Sequence, residues 1–262
     1  MNDRALEPVL LTSIEGGVAT LTLNRPRQYN ALSADLLEAL HRELDAIHGN
    51  AEVRVVVIAG AGKAFCAGHD LKEMRALPSQ ADVDALFARC SAMMQKLVAL
   101  PKPVIAAVHG IATAAGCQMV AQCDLAIATE DARFAVSGVN LGLFCSTPAV
   151  ALSRNIGRKR AAEMLFTGNF IDAPQALQWG LVNRLCPPAA LGSAVAELAA
   201  DLLKKPAESL AIGKALFYRQ LEVGLAAAYE DASRTIACNM ASEVAKEGVD
   251  AFIAKRPPNW KS

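Results

Sequence analysis

Apolar and polar positions along the 262-residue chain change period several times, and each change marks an element. VLLTSIEGGVATLTL alternates with period two on both sides of Gly16-Gly17, which predicts a β-hairpin. Ser33 then precedes a stripe of Leu36, Leu37, Leu40, Leu44 and Ile47 that runs to Gly49, the pattern of a capped amphipathic helix. VRVVVIAG, PVIAAV and DLAIAT are short continuous apolar runs separated by helical stretches, as buried parallel strands are. DVDALFARCSAMMQKLVAL lies between the first two, a helix expected to stop before Pro101. A further helix is expected to begin near Ala115, after a strand that ends at Gly110. Beyond Leu185 the strand signals vanish, and three helices are expected at roughly 188–204, 207–226 and 228–254. Ile236, Met240 and Val244 form a stripe that a short tail cannot bury alone, which suits an oligomer interface.

This length suits one large α/β unit with an appendage: a core over residues 1–187 and a helical region over 188–262. Lys plus Arg and Asp plus Glu number 26 each, so no global field favours nucleic acid or an anionic membrane. No apolar run is long enough for a bilayer, and MNDRALEPVL has no apolar signal core, so the expectation is a cytoplasmic protein. The seven cysteines form no CxxC pair and no paired Cys/His cluster, which argues against a metal site and a disulfide framework.

Two glycine-flanked loops carry the candidate chemistry. IAGAGKAFCAGHDLKEM follows a strand, but it has Val57 where a phosphate loop needs its first glycine and Ala64 where that loop needs Ser or Thr. A dinucleotide fingerprint fails at Phe65, the place of its third glycine. The second loop, GIATAAGC, has the same strand-loop-helix form. Backbone N–H groups freed at two such loops can converge on one oxygen and stabilise developing negative charge. Small residues also serve simply to pack helices onto strands, and on residues alone both readings stand.

FCAGHDLKEM and HGIATAAGCQMVAQCDLAIAT, with NRPRQYNALS, RFAVSGVNLGLFCSTP, LFTGNFIDAPQALQWGLVNRL and FIAKRPPNW, resemble the crotonase, or enoyl-CoA hydratase/isomerase, superfamily in six ordered blocks. The resemblance implies a spiral core of ββα units, a helical C-terminal oligomerisation region, and homotrimers or dimers of trimers. It implies an acyl-CoA thioester as ligand, coenzyme A arriving as part of the substrate with no separate cofactor, and an oxyanion hole made by the N–H groups of Ala67 and Ala115. Its hydratases use two glutamates, whose positions fall on Gln118 and Gly138. An amide has no useful proton affinity near neutral pH and glycine has no side chain, so the usual acid and base are missing. Cys145 and Ser146 stand where some relatives carry a carboxylate; a thiolate at Cys145 would need a partner that the sequence does not name. Asn140 suits a loop turn or the acyl pocket. His69 is placed toward the cofactor tail, with Ala64 beside the same loop. Asp70 is read as the cap of the next helix and His109 as structural. Arg25, Lys63 and Lys255 are the cations available for coenzyme A phosphates. The function that follows is an enoyl-CoA hydratase/isomerase-like enzyme stabilising a thioester enolate, or a non-catalytic acyl-CoA binding or scaffold protein.

Overall fold

A computed structural model describes residues 7–260. The amino-terminal residues 1–6, on which part of the leader reading rests, lie outside them. The hairpin forms as expected: β1 (Leu10–Glu15) and β2 (Val18–Leu23) pair antiparallel, with Glu15 opposite Val18. Gly16 and Gly17 have φ of 55° and 84°, the left-handed pair that a two-residue hairpin turn requires. A 3-10 turn, Pro26–Gln28, leads to Asn30, whose side chain accepts from Arg25 N–H and donates to the Ala61 and Ala64 carbonyls, tying this loop to the one after β3.

Next come α1 (Ala34–Gly49), β3 (Val55–Gly60), α2 (Leu71–Ala76), α3 (Gln80–Ala99), β4 (Val104–Val108), β5 (Ile111–Thr113), α4 (Ala115–Gln122), β6 (Leu125–Thr129) and β7 (Arg133–Ala135). The Ser33 hydroxyl accepts from Leu36 N–H at the start of α1, as its cap position predicts. Then follow α5 (Ser146–Asn155), α6 (Arg158–Thr167), β8 (Ile171–Asp172), α7 (Ala173–Trp179), β9 (Arg184–Cys186), α8 (Leu191–Leu203), α9 (Ala207–Gln220), α10 (Leu225–Met240) and α11 (Glu243–Ile253).

The main sheet runs β1-β2-β3-β4-β6-β9, parallel apart from the hairpin, and a small sheet runs β5-β7-β8. The continuous apolar runs have a direct cause. Val56 and Ile58 of β3 enter the large core, whereas Val55 and Val57 enter a second core on the opposite face, where α8 contributes Val195, Leu198 and Ala199. A strand buried on both faces has no polar side to alternate with.

Two details depart from the pattern. The small residues before Ala115 contain β5, three residues whose parallel partner is β7, some twenty positions later. The expected last helix is two: α10 ends at Met240, and Ser242 caps α11 by accepting from Ala245 N–H.

Candidate active site

The segment 65–70 is held from both sides. Toward β5, Phe65 N–H donates to the His109 carbonyl (3.0 Å) and Cys66 N–H to Ile111 (3.2 Å), and Thr113 N–H donates back to Cys66 (2.9 Å). Toward the Tyr29–Leu32 loop, Leu32 N–H donates to the Gly68 carbonyl (2.7 Å) and Asp70 N–H to the Leu32 carbonyl (3.1 Å). On this side Ala67 N–H donates to the Tyr29 carbonyl at 3.0 Å. The expectation of Ala67 as an oxyanion donor is therefore corrected: its N–H already has a partner.

In a parallel bridge between Leu32 and His69, the bonded groups belong to the neighbours of His69, so its own N–H points away from Leu32. That N–H has no hydrogen-bond partner among the described residues. Across the gap, Ala115 is the first residue of α4, and its N–H is likewise without a partner there, as the first turn of a helix leaves it. Gly68 has φ of 90°, and a Cβ on it would stand 2.8 Å from Ala114 Cβ and 3.3 Å from Ala115 N, so only glycine lets the two loops approach this closely. The Thr113 hydroxyl, donating to the Ala67 carbonyl at 2.9 Å, joins them further.

A cleft of about 820 Å³ opens over this junction, and His69, Ala67, Ala114, Ala115, Gly138 and Cys145 share its wall. Its mouth is apolar at Leu141, Leu143 and Phe144, with Arg27 and Lys72 also lining it. The sequence reading missed those two cations, although they lie inside the motif blocks NRPRQYNALS and FCAGHDLKEM. Arg25 serves a different purpose: its guanidinium donates to the Ala31 carbonyl (2.5 Å) and pairs with Asp70 (3.0 Å). Lys63, Ala64 and Lys255 do not form part of the cleft wall. Ala64 is buried and its carbonyl holds Asn30. Lys63 is exposed in the loop after β3, and exposed Lys255, with φ of 53°, follows the end of α11.

Asp70 caps α2 by accepting from the Lys72 and Glu73 N–H groups. Burial pushes its carboxyl up, but Arg25 and the two N–H donors outweigh this and leave it below the ordinary carboxylate range. The other carboxylate positions are empty of acids. Gln118 is 4% exposed on α4, and its Oε1 has no donor. Gly138 lies in a 3-10 turn, Ser137–Leu141, and its N–H donates to Cys145 Sγ at 3.3 Å. Burial raises the Cys145 thiol, and the Gly138 N–H only partly offsets this, so no thiolate stands ready at neutral pH. Ser146 Oγ donates to the Phe144 carbonyl in its own loop, and Asn140 Nδ2 donates to the Gly168 carbonyl at the end of α6, both at 3.3 Å, so both are engaged within the protein.

The His69 ring meets Phe87 edge-on with centroids 5.2 Å apart, and both of its nitrogens are buried without a hydrogen bond. Burial pulls this imidazole down to about 4, so it is neutral near pH 7. His109 Nε2 lies 3.0 Å from the Gly62 carbonyl and holds the first loop, the structural role expected. Among the described residues no cluster of three or more His, Cys, Asp or Glu could hold a metal, and no helix is long and apolar enough to cross a membrane.

Comparison with known proteins agrees with this architecture. The enoyl-CoA hydratase/isomerase family model matches residues 13–262. The Xenopus laevis mitochondrial enoyl-CoA hydratase domain-containing protein 3 is 42% identical over 97% of this chain and 86% of its own length. Two crystal structures superpose closely: an enoyl-CoA hydratase of Mycobacterium smegmatis, with TM-score 0.96 and 57% identity over 98% of this chain and all of that one, and human enoyl-CoA hydratase domain-containing protein 3, with TM-score 0.92 and 40% identity over 96% and 100%. The frog, rat and human relatives are named mitochondrial, which overturns the cytoplasmic expectation. That expectation rested on the lack of an apolar signal core, and mitochondrial leaders are amphipathic and basic, without such a core. With the family model matched over nearly its whole length, a crotonase fold, and relatives of the domain-containing protein 3 branch alongside it, this chain belongs to the enoyl-CoA hydratase/isomerase family.

Proposed function

We propose that the cleft binds an acyl-CoA thioester and stabilises its enolate through the N–H groups of His69 and Ala115. The observation that carries this reading is that two unpartnered N–H groups sit at one junction on the cleft wall. Donors fixed before the reaction stabilise a developing oxyanion without reorganisation, which is where such sites gain most of their effect. Arg27 and Lys72 are placed to meet the coenzyme A phosphates, and the apolar mouth to take the acyl chain. Coenzyme A enters as part of the substrate.

Proton transfer is the weak link. Among the described residues Asp70 is the one acid in the cleft wall, and it is committed to Arg25 and to the α2 cap. This favours the second reading, an acyl-CoA binding protein with little or no hydratase turnover. We propose also that the chain assembles as a homotrimer or a dimer of trimers through its C-terminal helices, where Phe217, Leu225, Tyr229, Ile236, Phe252 and Ile253 are all more than half exposed.

Calorimetry with butyryl-CoA and with butyrate tests the ligand, and ¹³C NMR of the thioester carbonyl tests the N–H pair. The thioester binds and its carbonyl resonance moves downfield if the reading is right; equal binding of acid and thioester, or an unmoved carbonyl, refutes it. Hydration of crotonyl-CoA above a heat-inactivated control distinguishes the enzyme from the binder. A monomer by light scattering at all concentrations rules out the assembly.

A further inference from the structure

A second cavity, of about 460 Å³, lies between α8 and the main sheet, on the face where Val57 meets the second core, and it shares no wall residue with the first cleft. Small side chains are its cause. Gly192, Ala196 and Ala200 recur every four residues, which sets them in one row along α8, and all three are exposed. A Cβ added to Gly192 would meet no atom within 4 Å. Val57, Ala59 and Ala107 face that row from the strands. The space is a slot: β2 and β3 pair from Val18–Val55 to Leu23–Gly60, five steps or roughly 17 Å, and the cavity touches Val18 at one end and Gly60 at the other.

One end of the slot is polar. Ser13 and Thr20 stand opposite each other across the hairpin, and Glu15, two residues from Ser13, projects from the same face beside Val18. None of these three side chains has a hydrogen bond or ion pair among the described residues. No lysine or arginine is among the wall residues, so the carboxylate faces no cation there. Loose packing would leave small side chains alone; here a carboxylate and two hydroxyls without partners end an apolar channel. A carboxylate only accepts, whereas an ammonium carries three donors and a compact positive charge. An anionic ligand would meet Glu15 and nothing to balance it. We infer that this slot binds a linear aliphatic amine, its ammonium donating to Glu15, Ser13 and Thr20 and its chain lying along the small row of α8.

The test is calorimetry of the full chain at pH 7.5 with octylamine, 1-octanol and octanoate. Octylamine, cationic at that pH, binds about fivefold tighter than 1-octanol, the most that an exposed ion pair supplies, and octanoate binds weakest. Glu15→Gln brings the amine down to the alcohol, and added salt narrows the same gap. Ala196→Leu, at an exposed helix position that leucine suits, fills the slot and weakens the amine and the alcohol together. Ala200→Leu carries that arm if Ala196→Leu does not fold. Octanoate as the tightest of the three would place binding in the first cleft, beside Arg27 and Lys72, and overturn the inference. A preference for the amine that survives Glu15→Gln, or an affinity that neither leucine variant changes, overturns it too. So does failure of all three to bind, the outcome if another subunit covers the slot.

Discussion

Cys145 Sγ accepts the N–H of Gly138 at 3.3 Å, and it occupies the space into which a side chain at position 138 would grow. A Cβ there would lie 2.8 Å from the sulfur and 2.9 Å from the Leu143 carbonyl. The missing second carboxylate is thus more than a single substitution: the loop has closed around a thiol where a glutamate side chain would start.

Gly138→Ala should therefore destabilise the protein by about 1–3 kcal/mol, the range for overpacking a tight site. Cys145→Ala in the same chain should recover only part of that, because the Leu143 carbonyl remains in the way. Urea unfolding of both single variants and the double variant measures the coupling. Strict additivity would mean that the sulfur does not occupy this space. The same geometry means that Gly138→Glu alone, even with Gln118→Glu, will not create a hydratase pair until the loop is rebuilt.

How far the sequence could lead is visible in the first loop. Everything local was legible: the Gly16-Gly17 turn, the Ser33 cap, the doubly buried β3, and Asp70 at the start of α2. Which N–H of FCAGHD faces the cleft was not. Tyr29 and Leu32, more than thirty residues earlier, take the N–H groups of Ala67 and Asp70, and only that long-range pairing leaves His69 free. The same holds for β5, three residues with no period of their own, and for Arg25, whose charge meets Asp70 rather than a ligand. The break at Ser242 had a local signal, a cap residue followed by Glu243, hidden by the apolar stripe that continues across it.

His69 should make stability fall in acid. Its folded value of about 4 lies below the ordinary 6.5. The unfolded chain thus takes up a proton on this ring between those values, and the folded chain does not. The loss is nil above pH 6.5, grows as pH falls through the window, and amounts to about 3 kcal/mol at its lower end. Urea unfolding at pH 7 and pH 4.5 should show a larger drop for the unmodified protein than for His69→Phe. Equal drops would show that the ring is not held neutral.

The C-terminal helices are fastened to the core at Asp124. Lys214 Nζ on α9 meets Asp124 Oδ2 at 2.6 Å and donates to the Leu97 and Lys102 carbonyls, and Tyr218 donates to Asp124 Oδ1 at 2.8 Å. The Lys214 side chain is 7% exposed. Burial lowers its pKa, and the attraction of Asp124 recovers only part of that shift. Lys214→Met would leave Asp124 without its cation and should cost about 3–5 kcal/mol in urea unfolding, as breaking a buried pair does. Tyr218→Phe, which removes one bond to a charged group, should cost about 2 kcal/mol. A Lys214→Met loss below that of Tyr218→Phe would mean that the pair adds nothing beyond its hydrogen bonds.

Ala114 has φ of 49° and ψ of −118°, a conformation rarely adopted by residues other than glycine, directly before the Ala115 N–H. Its N–H donates to the Ala135 carbonyl and its carbonyl accepts from Gln118 N–H, which hold it there. Ala114→Gly relieves the strain but loses one methyl packed over Gly68, so the two effects nearly offset and stability should rise by no more than about 1 kcal/mol. The effect on the site should be larger in kind. A glycine no longer confines this peptide, so the Ala115 N–H is less fixed, and the downfield shift of a bound thioester carbonyl should shrink in ¹³C NMR. A stability loss above 1 kcal/mol would show that the alanine conformation is not strained. An unchanged carbonyl shift would show that the Ala115 N–H is aimed by the helix alone.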